Sequence, residues 1–176
     1  MQQPTLIFGR HPVIDAINTG QSVDKIFLQQ GTRGEFEKEV RQLSKLHDIP
    51  VRVIPKERMN KMTRKNHQGI IAYLSLIRYY KIEDVLPMIY EKGETPLLLI
   101  LDGVTDVRNF GAIARSAVCC GVHAIIIPSK GTAQINAEAI KTSAGAIHSI
   151  PICRERSLVN TLEQLQNAGV QFFASA

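Results

Sequence analysis

The sequence predicts an α/β protein in which a small mixed α/β domain precedes a second domain built on a parallel sheet. Two apolar runs, Leu97–Leu101 and Ala124–Ile127, have the pattern of parallel strands buried on both faces. The helix-forming run Ala112–Cys120 separates them, and Gly121 follows as a typical helix stop. These segments predict a βαβ unit whose loop opens at the carboxyl edge of the sheet, where α/β proteins bind ligands.

The first domain is predicted over residues 1–78. Gly20 ends its first helix, and the second helix has apolar residues spaced for one buried face. The predicted elements, in chain order, are helix Pro12–Asn18, strand Lys25–Leu28, helix Phe36–His47, strand Val51–Ile54, a basic helical turn at Glu57–Thr63 and strand Ile70–Ile77.

A linker with a short helix at Ile82–Tyr90 is predicted over residues 79–95, and the second domain over residues 96–176. There strands and helices alternate, as a parallel sheet requires. The predicted elements are strand 97–102, helix 110–120, strand 124–127, helix 136–144, strand Ile150–Cys153, helix 157–168 and strand Val170–Phe173.

Composition excludes several classes of protein. The apolar runs are too short to span a membrane, and the first residues lack the basic and apolar regions of a secretion signal, so we expect a cytosolic location. Cys119, Cys120 and Cys153 have a spacing that suits neither a disulfide framework nor a zinc site. We expect reduced cysteines that serve packing, and no metal.

Positive charge is concentrated in the first domain. Residues 1–80 contain 13 Lys and Arg against 7 Asp and Glu, whereas residues 81–176 contain 8 against 9. Between positions 52 and 65, six basic residues have Glu57 as their sole acidic neighbour. Such a segment either binds a polyanion, since each neutralised phosphate releases counterions, or forms a solvated helix face.

The strand-to-helix junction after Leu101 carries the pattern Asp-x-x-x-Asp-x-x-Asn-x-Gly-x-x-x-Arg over residues 102–115. This pattern resembles the first motif of the SpoU-type branch of the SPOUT superfamily, which methylates ribose 2′-hydroxyls in transfer or ribosomal RNA. Phe8–Ile17, His67–Ile70 and Lys141–Ala146 resemble further segments of that family. The resemblance covers essentially the whole chain and is closest to the subgroup that methylates a guanosine of the large-subunit (23S) ribosomal RNA.

The resemblance implies S-adenosylmethionine as cofactor, RNA as partner and a homodimer in the full-length parent. It implies a catalytic pair, Arg115 and Asn109, at the ribose. Because arginine is a poor base, we expect Arg115 to position the hydroxyl or a phosphate. The identity of the general base is left open. Asn109 is also expected to cap its helix. The expected RNA-binding residues are Arg10, Arg58, Lys61, Arg64, Lys65 and His67.

Other polar and aromatic residues have weaker assignments. Asp102 and Asp106 are expected to organise the turn, and Ser143 and Gly145 to allow close backbone packing. Four aromatic residues are interpreted either as stacking faces for unpaired bases or as core: Phe8, Tyr73, Tyr79 and Tyr80.

Family members continue through two further motifs, a Gly-Glu-Gly-rich loop and a Ser-Leu-Asn-rich segment, which fold into a knotted cofactor site. Neither occurs here, so we expect an inactive fragment truncated before that knot, with the cofactor-binding residues in the missing segment. A non-enzymatic RNA-binding module is the alternative. A dinucleotide-binding enzyme is disfavoured because no Gly-x-Gly-x-x-Gly follows a predicted strand.

Overall fold

The computed structural model describes residues 5–133 and 135–174 and divides into two compact units. The first unit consists of the described residues of Met1–Arg78 and Gln134–Ala137, and the second of the described residues of Tyr79–Ala133 and Glu138–Ala176. No helix among the described residues combines the length and the apolar character needed to cross a membrane.

The first unit has one four-stranded mixed sheet in the order β1-β4-β2-β3. Strand β4 is antiparallel to β1 and β2, while β2 and β3 are parallel, so the predicted mixed α/β arrangement is confirmed. The elements are β1 Leu6–Phe8, α1 Arg10–Asn18, β2 Val23–Gln29, α2 Glu35–Leu46, β3 Val51–Ile54, α3 Lys56–Met62 and β4 Ile70–Leu74.

Both faces of this sheet are covered, because side chains alternate along each strand. On one face, Ile70 and Ala72 of β4 belong to a buried cluster that also holds residues of α1 and α2. On the other face, Ile71 packs with Ile54 and Met59, the buried residue of α3. Helices therefore pack against both faces of the sheet, and the loops lie at its edges.

The second unit contains a four-stranded sheet in the order β5-β8-β7-β6, and every pairing in it is parallel. The predicted parallel sheet is confirmed, with Ala124–Ile127 fully buried in β7. The elements are β5 Tyr79–Tyr80, α4 Ile82–Glu91, β6 Leu98–Ile100, α5 Val107–Cys119, β7 Ala124–Pro128, α6 Ala137–Thr142, a 3₁₀ turn at Ala146–His148, β8 Ile152–Glu155 and α7 Leu158–Asn167.

Several sequence-based expectations differ from the structure, among them the following. The predicted strand Val170–Phe173 is wrong: these residues have no regular secondary structure, since no described strand pairs with them, and Phe173 is exposed. The helix predicted to reach residue 144 ends at Thr142, two residues before Ala144 takes a left-handed φ of 52°. The short strands β1 and β5 were not predicted, because two or three residues show no alternation.

Candidate functional site

An open polar depression of about 910 Å³ lies in the first unit. Its lining residues are polar apart from Gly31 and Gly69, and they come from four separate parts of the chain. The lining residues are Arg10, His11, Gln29, Gly31, Thr32, Arg33, Lys56, Asn60, Arg64, Lys65, Asn66, His67, Gln68 and Gly69.

The topology of the sheet explains why these four segments meet. Strands β1, β2 and β3 run in the same direction, so the residues that follow them lie at one edge of the sheet. Because β4 runs in the opposite direction, the residues that precede it, 64–69, lie at that same edge. The depression is therefore the carboxyl edge of the parallel strands, the usual position of a ligand site in an α/β sheet.

The depression is strongly cationic. Its described lining contains five basic side chains and no carboxylate: Arg10, Arg33, Lys56, Arg64 and Lys65. Cations gathered in a concave site raise the local concentration of an anionic ligand. The arrangement is suited to several phosphate groups held by separate side chains.

The first turn of α1 is tied to the loop that precedes β4. The backbone amide of Arg10 donates a hydrogen bond to Oε1 of Gln68 at 3.0 Å. Gly9, the N-cap, has a φ of 93° that favours glycine, and Gln68 itself has a left-handed φ of 51°. This contact links two walls of the depression, which lie 58 residues apart in sequence.

His67 has a structural role at the base of the same loop. Its side chain is buried, its Nδ1 accepts a hydrogen bond from the amide of Gly69 at 3.0 Å, and its Nε2 lies 3.0 Å from Oδ1 of Asn60. Because Nδ1 accepts, Nε2 carries the proton and donates it to Asn60. The imidazole therefore fastens α3 to the loop, with both ring nitrogens engaged.

The structure brings together four of the six expected RNA-binding residues: Arg10, Arg64, Lys65 and His67. Arg58 and Lys61 do not line the depression, and their expected RNA binding stays a prediction. They lie outside the lining because of helix geometry. Lys56 and Asn60 are four residues apart on one face of α3, whereas Arg58 and Lys61 project from other faces.

The lining residues that sequence reasoning did not assign to the site include His11 and Arg33, and Lys56 was placed in the basic segment without being named as an expected RNA-binding residue. Arg33 stands between Gly31 and Gly34 in the loop after β2, and Lys56 begins the helix that follows β3. Both follow the carboxyl ends of parallel strands. A search for cations directly after each predicted strand would have found them.

In the second unit, the cap at the start of α5 differs from the expected one. Asp106 is the N-cap, and its Oδ1 accepts a hydrogen bond from the amide of Asn109 at 2.7 Å. The expectation that Asn109 caps the helix is therefore wrong, because the helix starts at Val107, before the strongly apolar segment. Asp106 has the turn-organising role expected of it.

Arg115 is consequently the ninth residue of α5, roughly 12 Å along the axis from its first residue. It is exposed, as is Asn109. It shares a face of the helix with Arg108, which forms an ion pair with Glu138 at 3.1 Å, and with Gly111.

Helix α6 packs very closely on this face of α5. A Cβ atom added to Gly111 would lie 2.8 Å from both the carbonyl oxygen of Ala139 and Cβ of Thr142. Ser143 is fully buried and donates its hydroxyl proton to the carbonyl of Ile140 at 2.9 Å. The position of Arg115, one turn after Gly111, is therefore fixed by close backbone packing.

Two ionisable groups on β8 have altered proton affinity. Burial raises the pKa of the Cys153 thiol to about 12, with Glu155 and Asp84 adding to the effect. Burial also raises the pKa of Glu155, against the lowering effect of the Ile82 amide, which donates to its carboxylate at 2.9 Å. Within the described part of the chain, no three His, Cys, Asp or Glu residues are grouped so as to hold a metal ion.

Comparison with known proteins gives two family matches. Residues 96–176 match the SpoU rRNA Methylase family, and residues 6–80 match the family described as RNA 2′-O ribose methyltransferase substrate binding. A relative from Bacillus subtilis is named YacO and described as a TrmH family tRNA/rRNA methyltransferase. It is 30% identical to this chain, and the match covers 96% of this chain and 68% of the relative. A similarly named Staphylococcus aureus relative is 33% identical over 95% and 67%.

Among solved structures, an rRNA methyltransferase from Sinorhizobium meliloti with bound AdoMet is 23% identical, with a TM-score of 0.44. The match covers 93% of this chain and 57% of that protein. The SpoU methyltransferase AviRb from Streptomyces viridochromogenes, in complex with AdoMet, is 19% identical with a TM-score of 0.43, and 60% of it is covered. The two family matches and the relatives show that this chain belongs to the SpoU rRNA methylase family.

Proposed function

We propose that the first unit binds RNA in its cationic depression. We propose further that the second unit belongs to an S-adenosylmethionine-dependent methyltransferase acting on ribose 2′-hydroxyls of ribosomal or transfer RNA. The observation that carries the first part is the convergence of five cations, without a carboxylate, on one edge of the sheet. The same residues lie within the segment that matches the substrate-binding family. The names of the relatives and the AdoMet bound to solved structures support the second part.

The chemistry defines what the second unit has to supply. Bound S-adenosylmethionine supplies the methyl group, and the ribose oxygen has to be held in line with it while its proton is removed. We assign none of the described residues to the cofactor. Arginine is a poor base, so the planar guanidinium of Arg115 is suited to donate hydrogen bonds to the ribose oxygen or a neighbouring phosphate, and not to accept a proton. We propose that Asn109 shapes the same pocket.

The RNA-binding part is tested by measuring the affinity of the chain for a labelled ribosomal RNA fragment over a series of salt concentrations. Since each neutralised phosphate releases counterions, log K should fall linearly with log salt concentration. Replacing Arg64 by glutamate should weaken binding by more than tenfold, because it places a carboxylate among the remaining cations. Binding that is independent of salt would contradict the proposal.

A second candidate function is RNA binding without methyl transfer, and the depression favours it because it is formed by the first unit alone. The two candidates differ in whether labelled methyl groups from S-adenosylmethionine are transferred to RNA. The assay is made with this chain and with any longer product that its gene encodes. Binding without transfer in both would support the second candidate.

Three finer features stay proposals: a homodimer, a cytoplasmic location, and the guanosine of the large-subunit RNA as target. The target is testable by mapping 2′-O-methylation in ribosomal RNA from cells that lack the gene. A lost methyl group on a guanosine of the large subunit would identify it.

A further inference from the structure

Two aromatic rings in the first unit lie directly beneath cations of the depression. The guanidinium carbon of Arg10 is 4.4 Å from the centroid of the Phe36 ring, and Nζ of Lys65 is 5.7 Å from the centroid of the Phe8 ring. Both distances are within the range of a cation–π interaction. The rings therefore contact side chains of their own chain on the face that an RNA base would need.

Both rings pack against buried residues of the core. Phe36 packs against the buried cluster that contains Val40, and Phe8 packs against the cluster of Ile54, Met59 and Ile71. Each cation thus lies over an aromatic ring that packs against the core. A long side chain held in this way loses less conformational freedom when it binds a ligand, so more of its interaction energy appears as affinity.

No Phe, Tyr or Trp ring lines the depression. Besides its Arg and Lys side chains and glycines, the lining has amides, one threonine and the imidazoles of His11 and His67. The His67 ring is buried, and both of its nitrogens are engaged by Gly69 and Asn60. Tyr73, interpreted from sequence as a stacking or core residue, packs edge-on against Phe27 with 5.9 Å between the ring centroids. Recognition of unpaired bases normally depends on exposed rings, whereas phosphates are held by cations and amides.

From these contacts, and resting on the proposed RNA binding, we infer that the depression binds the phosphate groups of the RNA chain and stacks no base. Phe36 and Phe8 are positioning residues that hold Arg10 and Lys65 toward the phosphates. The first unit then contributes affinity that is nearly independent of base identity. The choice of nucleotide is made elsewhere in the enzyme.

The test measures how a protein variant changes the affinity for two RNA probes, one with bases and one without. The probes are a labelled unpaired oligoribonucleotide and its abasic counterpart of equal length, which keeps the ribose-phosphate chain. The variant is Phe36→Leu, which removes the ring under Arg10. The matched control is Phe27→Leu, which removes a ring that lies against Tyr73 and under no cation. Thermal unfolding verifies that each variant is folded, and Phe36→Met replaces Phe36→Leu if that variant is not.

We expect the unaltered chain to bind the two probes with affinities within about threefold of each other, since one stacked base alone contributes about fivefold or more. Phe36→Leu should weaken binding of both probes by the same factor, about two- to fivefold. Phe27→Leu should leave both affinities unchanged. Arg10→Ala combined with Phe36→Leu should be little weaker than Arg10→Ala alone, because the ring acts through the arginine.

The inference is overturned if the abasic probe binds more than tenfold more weakly, or if Phe36→Leu impairs binding of the base-bearing probe alone. It is also overturned if Phe36→Leu has no effect. All three results leave salt-dependent RNA binding intact. Failure of the proposed function is a different result, in which the chain binds neither these probes nor the ribosomal RNA fragment in a salt-dependent way.

Discussion

The two units differ in how their charges are distributed. Residues 1–80 have a net charge of +6, and five of their cations converge on one depression whose lining has no carboxylate. Ion pairs of this unit, such as Lys38 with Glu35 and Arg41 with Glu37, lie on α2 and do not line the depression. Residues 81–176 have a net charge of −1, and Arg108 is paired there with Glu138. The difference indicates that the first unit supplies general attraction to RNA, while Arg115 is the cation we assign to the reaction in the second.

The largest expected effect follows from replacing Arg115 by alanine in the methyl-transferring protein. If Arg115 orients the ribose, turnover should fall by about 10²-fold, whereas RNA affinity should change by less than about twofold. Arg115→Lys keeps the charge and loses the planar fork, so it should recover little activity. Arg108→Ala, on the same face of α5, is the control and should be mild, because its partner Glu138 is partly exposed. Near-normal turnover of Arg115→Ala would remove the residue from the reaction.

A smaller effect is expected from Gly111→Ala, which perturbs the second unit alone. The added methyl group meets backbone and side-chain atoms of α6 at 2.8 Å, so it should destabilise the unit by about 1–3 kcal/mol although alanine favours helix. Differential scanning calorimetry should show a lower Tm for the unit that carries α5. Ser116→Ala, at an exposed position of the same helix, should not lower it. An unchanged Tm in Gly111→Ala would mean that α6 shifts to accommodate the methyl group at little cost in stability.

Sequence alone predicted the elements with long or regular apolar patterns. Strand Val51–Ile54 has the predicted bounds, and the buried run Ala124–Ile127 lies in a parallel strand as predicted. Prediction failed where the outcome depends on a partner. Val170–Phe173 is apolar enough for a strand, but a strand also needs a hydrogen-bonded neighbour, which no local pattern encodes.

The candidate site was predicted only in part, because it too depends on segments that are distant in the sequence. A dense basic run marked the right region, but helix phase divides it, so that Lys56 faces the depression and Arg58 does not. Arg33 lies 19 positions before the start of that run at Arg52 and reaches the depression through sheet topology. Whether Arg115 acts on RNA stays a prediction, which the variants above test, and the role of Asn109 stays a prediction as well.

The smallest effect concerns the three cysteines, all in the second unit. Cys119 and Cys120 are exposed, whereas Cys153 is buried with a pKa raised to about 12. At pH 7.5, iodoacetamide should therefore modify the first two in the folded chain and reach Cys153 after unfolding. Mass spectrometry of the labelled peptides measures this. Labelling should leave RNA affinity unchanged, and a loss of affinity would show that the second unit contributes to RNA binding.

The central difference between the units is tested most directly within α3 and the loop that follows it. Lys56→Ala with Arg64→Ala removes two cations that line the depression, and Arg58→Ala with Lys61→Ala removes two that do not. Both double variants change the net charge equally. The measurement is the slope of log K against log salt concentration for an unpaired RNA. We predict that the first double variant lowers the slope by about 1.4, at about 0.7 for each lost phosphate contact, and that the second leaves it nearly unchanged. Equal reductions in both variants would contradict the depression as the RNA site and assign binding to a diffuse basic surface.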